Sequence, residues 1–414
     1  MARPRSAWWM AAVLYGLVVL ARVAPSATAD RIMATFHVNA QALGALSSLQ
    51  FLVYVAMQIP AGLLSDRFGP GPVLLAGALV AGIGNLMVGV SPSFAGVLAG
   101  RFLDGLGDSV VWVNALMLQN ALFPPQRMGR LTATLNAMGT AGNLVGTVPL
   151  AVMAGATGVR LPYDVMGAML VALFVVALPS LRMVRASGLR LAPVRATLAR
   201  VVRRRRTWPV VMVHFGAVGS TVILGGVWGL PFLMQAYGQP RAQAASVLLA
   251  GTLAGMIGGI TAGRITDRTW RRRLPFGVVL LWTLGMWGLM SFAPGPLPLA
   301  VLVTAILSVF FAGGFAIMSF AVVRETSSRE EVGVASGLTN MGGFTSAVLM
   351  GPLIGAQLDA SWRGATLAGS PAFPLLGYQM AFRWPMAGLA LSLLGALMLP
   401  EALRPQRPAP PESR

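Results

Sequence analysis

The chain has 414 residues, of which 56% are hydrophobic and only 10% charged, whereas an ordinary soluble domain carries about 25% charged residues. So few charges cannot cover a water-facing surface of this size, so most of that surface faces something other than water. Cysteine is absent and the two histidines are His37 and His214, which excludes disulfides, thiolate metal sites and multi-histidine metal centres, and no cofactor is expected.

Apolar stretches of spanning length follow one another near 7–28, 41–64, 73–91, 94–122, 130–154, 164–184, 208–236, 243–264, 275–293, 297–322, 333–357 and 380–400. Each is about the 20 residues needed to cross ~30 Å of hydrocarbon. Backbone groups in lipid must bond within their own segment, so these stretches are helices. The expectation is an all-α integral membrane protein with twelve transmembrane helices. The basic start before Ala7 looks superficially like a signal peptide, but the run that follows is long enough to be a first, retained helix.

The net charge of +19 fits this topology better than a nucleic-acid partner, because the arginines punctuate the apolar runs instead of forming one basic face. With the N-terminus in the cytoplasm, 24 of the 31 basic residues, all arginine, fall on the cytoplasmic side and five on the other. Both termini are therefore expected in the cytoplasm of a bacterial-type inner membrane. The polar stretch holding Arg203, Arg204, Arg205 and Arg206 divides the chain into an N-terminal six-helix bundle (1–184), a basic cytoplasmic linker (185–207), a C-terminal six-helix bundle (208–400) and a tail (401–414). The linker reads as a solvated connector or as an anchor to anionic lipid.

The two halves echo each other. Gly62-Leu-Leu-Ser-Asp66-Arg67 closes the second helix and Gly263-Arg-Ile-Thr-Asp267-Arg268 closes the eighth; Gly129 and Asn136 open the fifth as Gly333 and Asn340 open the eleventh. Matched offsets of this kind mark two pseudo-symmetric bundles related by duplication.

At this point the sequence resembles the major facilitator superfamily. Gly62-Leu-Leu-Ser-Asp66-Arg67-Phe-Gly69 is similar to the signature between that family's second and third helices, although Pro70-Gly71-Pro72 replaces its usual basic pair. Arg101-Phe-Leu-Asp104-Gly105-Leu-Gly107-Asp108 is similar to its fourth-helix signature. The resemblance implies two bundles that rock about a central site. Gly62, Asp66, Arg67, Gly69, Asp267 and Arg268 would then gate the cytoplasmic mouth, with plain loop anchoring as the other reading.

Four charges fall inside the apolar runs: Arg22, Arg101, Asp104 and Asp108. An ion at mid-bilayer costs about 2.5–3.5 kcal/mol on insertion scales, so each should face a partner or a wet cavity. Spacings of three and four place Arg101, Asp104 and Asp108 on one helix face. In one reading Arg101 pairs with Asp104 and fixes packing. In the other, Arg22 attracts an anionic substrate group while Asp104 or Asp108, beside Arg101, exchanges a proton. In the family the first helix lines the central path, and an arginine there is similar to organic-phosphate antiporters; the seventh helix here lacks a matching arginine. Asn114, Asn136, Trp228, Gln235 and Asn340 are further candidates for substrate contact. Asn136 and Asn340 could equally be helix–helix glue, and Trp228 an interfacial anchor or a gate where the seventh helix bends. Asn143 follows Gly142 where the family's exporters usually carry Gly-Pro, which favours uptake.

The sequence thus points to a monomeric secondary transporter of a small organic solute, with an anionic group suggested by Arg22 and proton-coupled uptake as the leading reading. The rivals are a proton-driven drug or metabolite exporter and a non-transporting membrane sensor. An enzyme is not expected. Without lysine the chain cannot carry a P-loop, so it does not drive transport with its own ATPase.

Overall fold

The computed structural model describes residues 4–124, 127–184, 194–269, 271–328, 331–367 and 369–399, with backbone but not side chain at 59, 194, 195 and 267. The chain is helical apart from a two-stranded antiparallel hairpin, β1 (Thr366–Leu367) and β2 (Ser370–Pro371). The first half comprises α1 (Pro4–Phe36), α2 (Ala40–Phe68), α3 (Pro70–Val90), α4 (Phe94–Ser109), α5 (Val111–Leu122), α6 (Met128–Thr157) and α7 (Arg160–Leu181). A short helix, α8 (Val194–Arg203), precedes the second half. That half comprises α9 (Thr207–Ile223), a π-turn (Leu224–Trp228), α10 (Gly229–Tyr237), α11 (Arg241–Arg268), α12 (Arg273–Phe292), α13 (Leu299–Phe315), α14 (Met318–Thr326), α15 (Val332–Ser361), α16 (Leu375–Ala381) and α17 (Arg383–Met398).

Among the described residues, 11 helical runs are long and apolar enough to cross a membrane. The remaining crossing, expected as one helix over 94–122, is broken at Val110 into α4 and α5, each too short to span alone. Several helices outrun their apolar stretches: α1 has 33 residues, about 50 Å at 1.5 Å per residue, so its ends project beyond the hydrocarbon.

Packing repeats between the halves. In the first half α1 lies on α6, α2 on α4 and α3 on α7; in the second α9 lies on α15, α11 on α13 and α12 on α17. The same pairing of first with fifth, second with fourth and third with sixth crossings is what a duplicated bundle requires. The halves meet where α2 crosses α15 and α6 crosses α11.

Small residues set how closely these helices approach. A Cβ on Gly44 would collide with the Gly351 carbonyl, and one on Gly355 with Ala40, so α2 and α15 touch backbone to backbone at the end where α1 gives way to α2. Farther along the same helices, Gly62, Gly333 and Gly337 have open space around them. The two bundles are in close backbone contact at the α1–α2 end, while these glycines toward the other end meet nothing.

Two local breaks have visible causes. Gly69 adopts φ 90°, closes α2 through its N–H to the Ser65 carbonyl at 2.7 Å, and hands over to Pro70 at the first turn of α3. That backbone conformation favours glycine, and proline suits a helix's first turn. The π-turn contains Gly225-Gly226 and is followed by Pro231, which has no N–H to offer a regular turn.

Candidate functional site

At mid-depth, facing the second half, Arg22 of α1 makes a two-pronged ion pair with Asp108 of α4: Nε donates to Oδ2 at 3.0 Å and Nη2 to Oδ1 at 2.7 Å. Asp108 is 2% exposed, while the Arg22 side chain keeps 16%. The guanidinium lies over the Tyr54 ring, 5.0 Å from its centroid, and over Phe344 at 5.6 Å. Tyr54 is on α2 and Phe344 on α15, and the two rings touch at 4.7 Å between centroids. An ion and its partner are thus held in an aromatic clamp built by both halves. Tyr15, two turns before Arg22, packs tilted against Trp112 of α5, 4.9 Å between ring centroids.

Asp108 stands next to the helix break. Ser109 bonds the Leu106 carbonyl at 2.7 Å and Asn114 bonds the Val110 carbonyl at 2.7 Å, so polar side chains cover part of the interrupted backbone. The Asn114 Oδ1 is buried without a partner.

A second polar cluster lies wholly inside the first half. Arg101 and Asp104 are both 0% exposed and pair at 2.8 Å. Asp104 also accepts from Gln50 at 3.1 Å and Asn85 at 2.7 Å, and Arg101 donates to Gln50 and to the Ala21 carbonyl. Arg101, Asp104 and Asp108 share a helix face but not a network. Arg101 and Asp104 satisfy each other, while Asp108 reaches across to Arg22.

The remaining candidates are scattered. Trp228 is fully buried in the π-turn, with its indole N–H unpartnered, and does not line an opening. Gln235 accepts from the Phe373 N–H at 3.1 Å and the Tyr378 hydroxyl at 2.9 Å, and donates to the Pro371 carbonyl, fastening the hairpin to α10. Asn136 is exposed and bonds its own helix at Thr132, whereas Asn340, half-buried on α15, hydrogen-bonds Tyr54 and so joins the Arg22 clamp. Of the gate residues, Arg67 is exposed against Phe68, Arg268 is exposed, and Asp66 is half-buried. Burial holds the Asp66 carboxyl above the usual carboxylate range. The side chain of Asp267 lies outside the described residues.

The tightest polar closure is at the opposite end. Asp30 of α1 pairs with Arg241 of α11, which also donates to the Ala27 carbonyl. Asp359, near the end of α15, accepts from the Ala40 and Gln41 N–H groups at 2.9 and 2.8 Å and so caps α2 across the interface. A carboxylate at a helix N-terminus meets both free N–H groups and the helix dipole. Deeper in, Thr252 of α11 donates to Asn143 Oδ1 of α6 at 3.0 Å. Gln50, Tyr54, Phe344 and the Asp30–Arg241 and Asp359 contacts were not singled out in the sequence. Gln50 alone carried a signal, as an amide within an apolar run.

Two six-crossing bundles that touch backbone to backbone at one end and hold a partly exposed ion pair where they meet define a membrane transporter. The major facilitator superfamily profile matches residues 8–229 and 210–414, and the chain belongs to that superfamily of secondary transporters, which are not enzymes. It is 27% identical over 369 residues to the "Probable sulfoacetate transporter SauU" of Cupriavidus necator, covering 83% of this chain and 85% of that one. It is 23% identical over 385 residues to the "Probable galactarate/D-glucarate transporter GudP" of Bacillus subtilis, covering 83% and 84%. Among solved structures it is similar to a bacterial homologue of the human lysosomal transporter Spinster in an inward-facing and occupied conformation, with TM-score 0.73, 17% identity and 96% of each chain covered. It also resembles a D-xylose–proton symporter, with TM-score 0.69, 14% identity and 96% and 99% covered. These last likenesses concern the fold.

Proposed function

We propose that the chain takes up a small organic anion together with a proton, with Arg22 as the anion-binding group and Asp108 as the proton-exchanging group. The observation that carries this reading is the Arg22–Asp108 pair, held where the two bundles meet and exposed only on the arginine side. Away from water, breaking such a pair leaves an uncompensated charge and costs about 3–5 kcal/mol. A carboxylate or sulfonate can take over Arg22 cheaply only when Asp108 is neutralised at the same moment. A proton on Asp108 does that: the guanidinium exchanges one anionic partner for another, and the site's net charge is unchanged. Proton and anion therefore travel together.

The arginine distribution favours an inner-membrane orientation with the α1–α2 end outside. The state described here is then sealed outside by Asp30–Arg241 and Asp359 and open toward the cytoplasm. Two relatives whose names carry organic acids, sulfoacetate and galactarate or D-glucarate, agree with an anionic solute. Asn143, where the resemblance to exporters would call for proline, instead ties α6 to α11, in keeping with uptake.

The test is transport into proteoliposomes under an imposed proton gradient, with sulfoacetate and glucarate set against xylose as a neutral control. Accumulation of an anion that collapses with the gradient is expected. Expulsion of the anion, or transport of the neutral sugar alone, would overturn the reading. Binding without any flux would make the protein a sensor.

A further inference from the structure

Three arginines gather in a cleft at the open end: Arg5 from the start of α1, Arg127 from the turn before α6, and Arg130 from its first turn. The cleft has a volume of about 430 Å³, and its walls include Trp8, Trp9 and Phe123. Among the described residues no carboxylate lines it. None could come from nearby chain either, because the sequence has no Asp or Glu in 1–29 or 109–163. Elsewhere at this end three arginines are matched: Arg200 and Arg204 meet Glu331, and Arg272 meets Glu325. Arg5, Arg127 and Arg130 converge from separate segments on one space with no counter-charge among the described residues.

We propose that this cleft is a binding site for an oxyanion, a phosphate, sulfonate or carboxylate carried on an apolar or aromatic body. Guanidinium forks match the oxygens of such groups in pairs. The aromatic wall suits the rest of the ligand: Trp9 is 47% exposed, while Trp8, 4% exposed, backs it from within the bundle. Trp8, Tyr15 and Arg22 are spaced seven residues apart on α1, so they drift only ~20° per step around the helix. The cleft thus stands at the head of a stripe that reaches Arg22 about 21 Å farther in. A cluster of like charge at a cleft raises the local anion concentration. That loading role rests on the anion-uptake reading; the binding itself does not involve Arg22.

The same chemistry is offered by a soluble anion and by an anionic lipid headgroup, and two arms separate them. In the first, inorganic phosphate is titrated into the full-length detergent-purified protein and its phosphorus NMR line width followed. The triple variant Arg5→Gln, Arg127→Gln, Arg130→Gln should bind about tenfold more weakly or worse, and the matching triple lysine variant, which keeps the charge, should recover much of the loss. Arg22→Gln should leave this binding in place even if transport fails. In the second arm, protein from phosphatidylcholine vesicles containing phosphatidylglycerol is examined by native mass spectrometry. Retention of phosphatidylglycerol by the wild type and its loss in the triple glutamine variant would assign the site to a headgroup. If the triple glutamine variant, folded by gel filtration, matches the wild type with both probes, the proposal is wrong.

Discussion

Arg101, buried in the first bundle, donates to the carbonyl of Ala21 at 3.2 Å, and Ala21 is the residue immediately before Arg22. The same guanidinium holds Asp104 and Gln50. The packing cluster and the exposed ion pair are therefore joined through one backbone group of α1. Arg101 thereby fixes the α1 backbone beside Arg22 without touching the Arg22 side chain's partner Asp108.

Arg101→Met should leave Asp104 buried with no cation and lower stability by about 3–5 kcal/mol. The double variant Arg101→Met, Asp104→Leu should regain most of that loss while still transporting poorly, because α1 has lost its anchor at Ala21. Thermal unfolding in detergent and initial uptake rates, measured on the same samples, separate the two effects.

Asp108→Asn frees Arg22 permanently. The variant should exchange anion for anion across the membrane but fail to accumulate it against a gradient, and its anion affinity should no longer follow pH. Arg22→Gln should instead lose anion binding by about a hundredfold, the scale of two charge-assisted hydrogen bonds. Counterflow and proton-driven uptake assays tell the variants apart; a coupled Asp108→Asn transporter would remove this residue from the proton path.

Asp30→Asn removes the charge that Arg241 meets at the closed end. A partly buried pair of this kind contributes about 1 kcal/mol or somewhat more, so the opposite state should gain roughly fivefold in population. The chain has no native cysteine, so single cysteines placed near Ala40 and Asp359 report opening directly. Faster maleimide labelling in the variant is expected, and unchanged labelling would show that the pair does not hold this end shut.

Glu331 sits between the linker and α15. Burial pushes its carboxyl up, but the Ser328 N–H and the Arg204 guanidinium outweigh that and hold it below its ordinary value of 4.5. A depressed carboxyl binds fewer protons in the folded than in the unfolded state. Its stabilising contribution is therefore complete above pH 4.5 and fades as pH falls through the folded-state value. Glu331→Gln should lower the melting temperature by a few degrees at pH 7, and the difference from wild type should shrink steadily below pH 4.5.

Crossing number, helical class and the doubled architecture were legible because hydrophobic run length and the paired Gly62 and Gly263 segments report directly on lipid and duplication. That Arg22, Arg101, Asp104 and Asp108 need partners was equally legible, because charge in hydrocarbon needs a reason, and each has one. The Arg101–Asp104 pair was one of the two readings and is present; the partner of Asp108 was not legible. Helical spacing grouped Asp108 with Arg101, yet its partner comes from α1, 86 positions away in the chain, and only the bundle's packing brings it there. Trp228 and Gln235 looked like cavity residues by depth alone. Depth along a helix does not fix azimuth: Trp228 turns into protein, while Gln235 lines a cavity beside Asp30 and Arg241 at the closed end. Tyr54 and Phe344 carried no signal, since aromatic residues in apolar helices are ordinary.

The glycine crossing of α2 and α15 has a mechanical consequence. Where two rods touch backbone to backbone, they can swivel without dragging side chains past one another. From Gly44 to the far end of α2 is 24 residues, a lever of about 36 Å, so a tilt of ~10° there sweeps the far tip through roughly 6 Å. Reaching the opposite state would require the point of contact to roll along both rods toward Gly62 and Gly333, whose bare surroundings leave room for a new bearing.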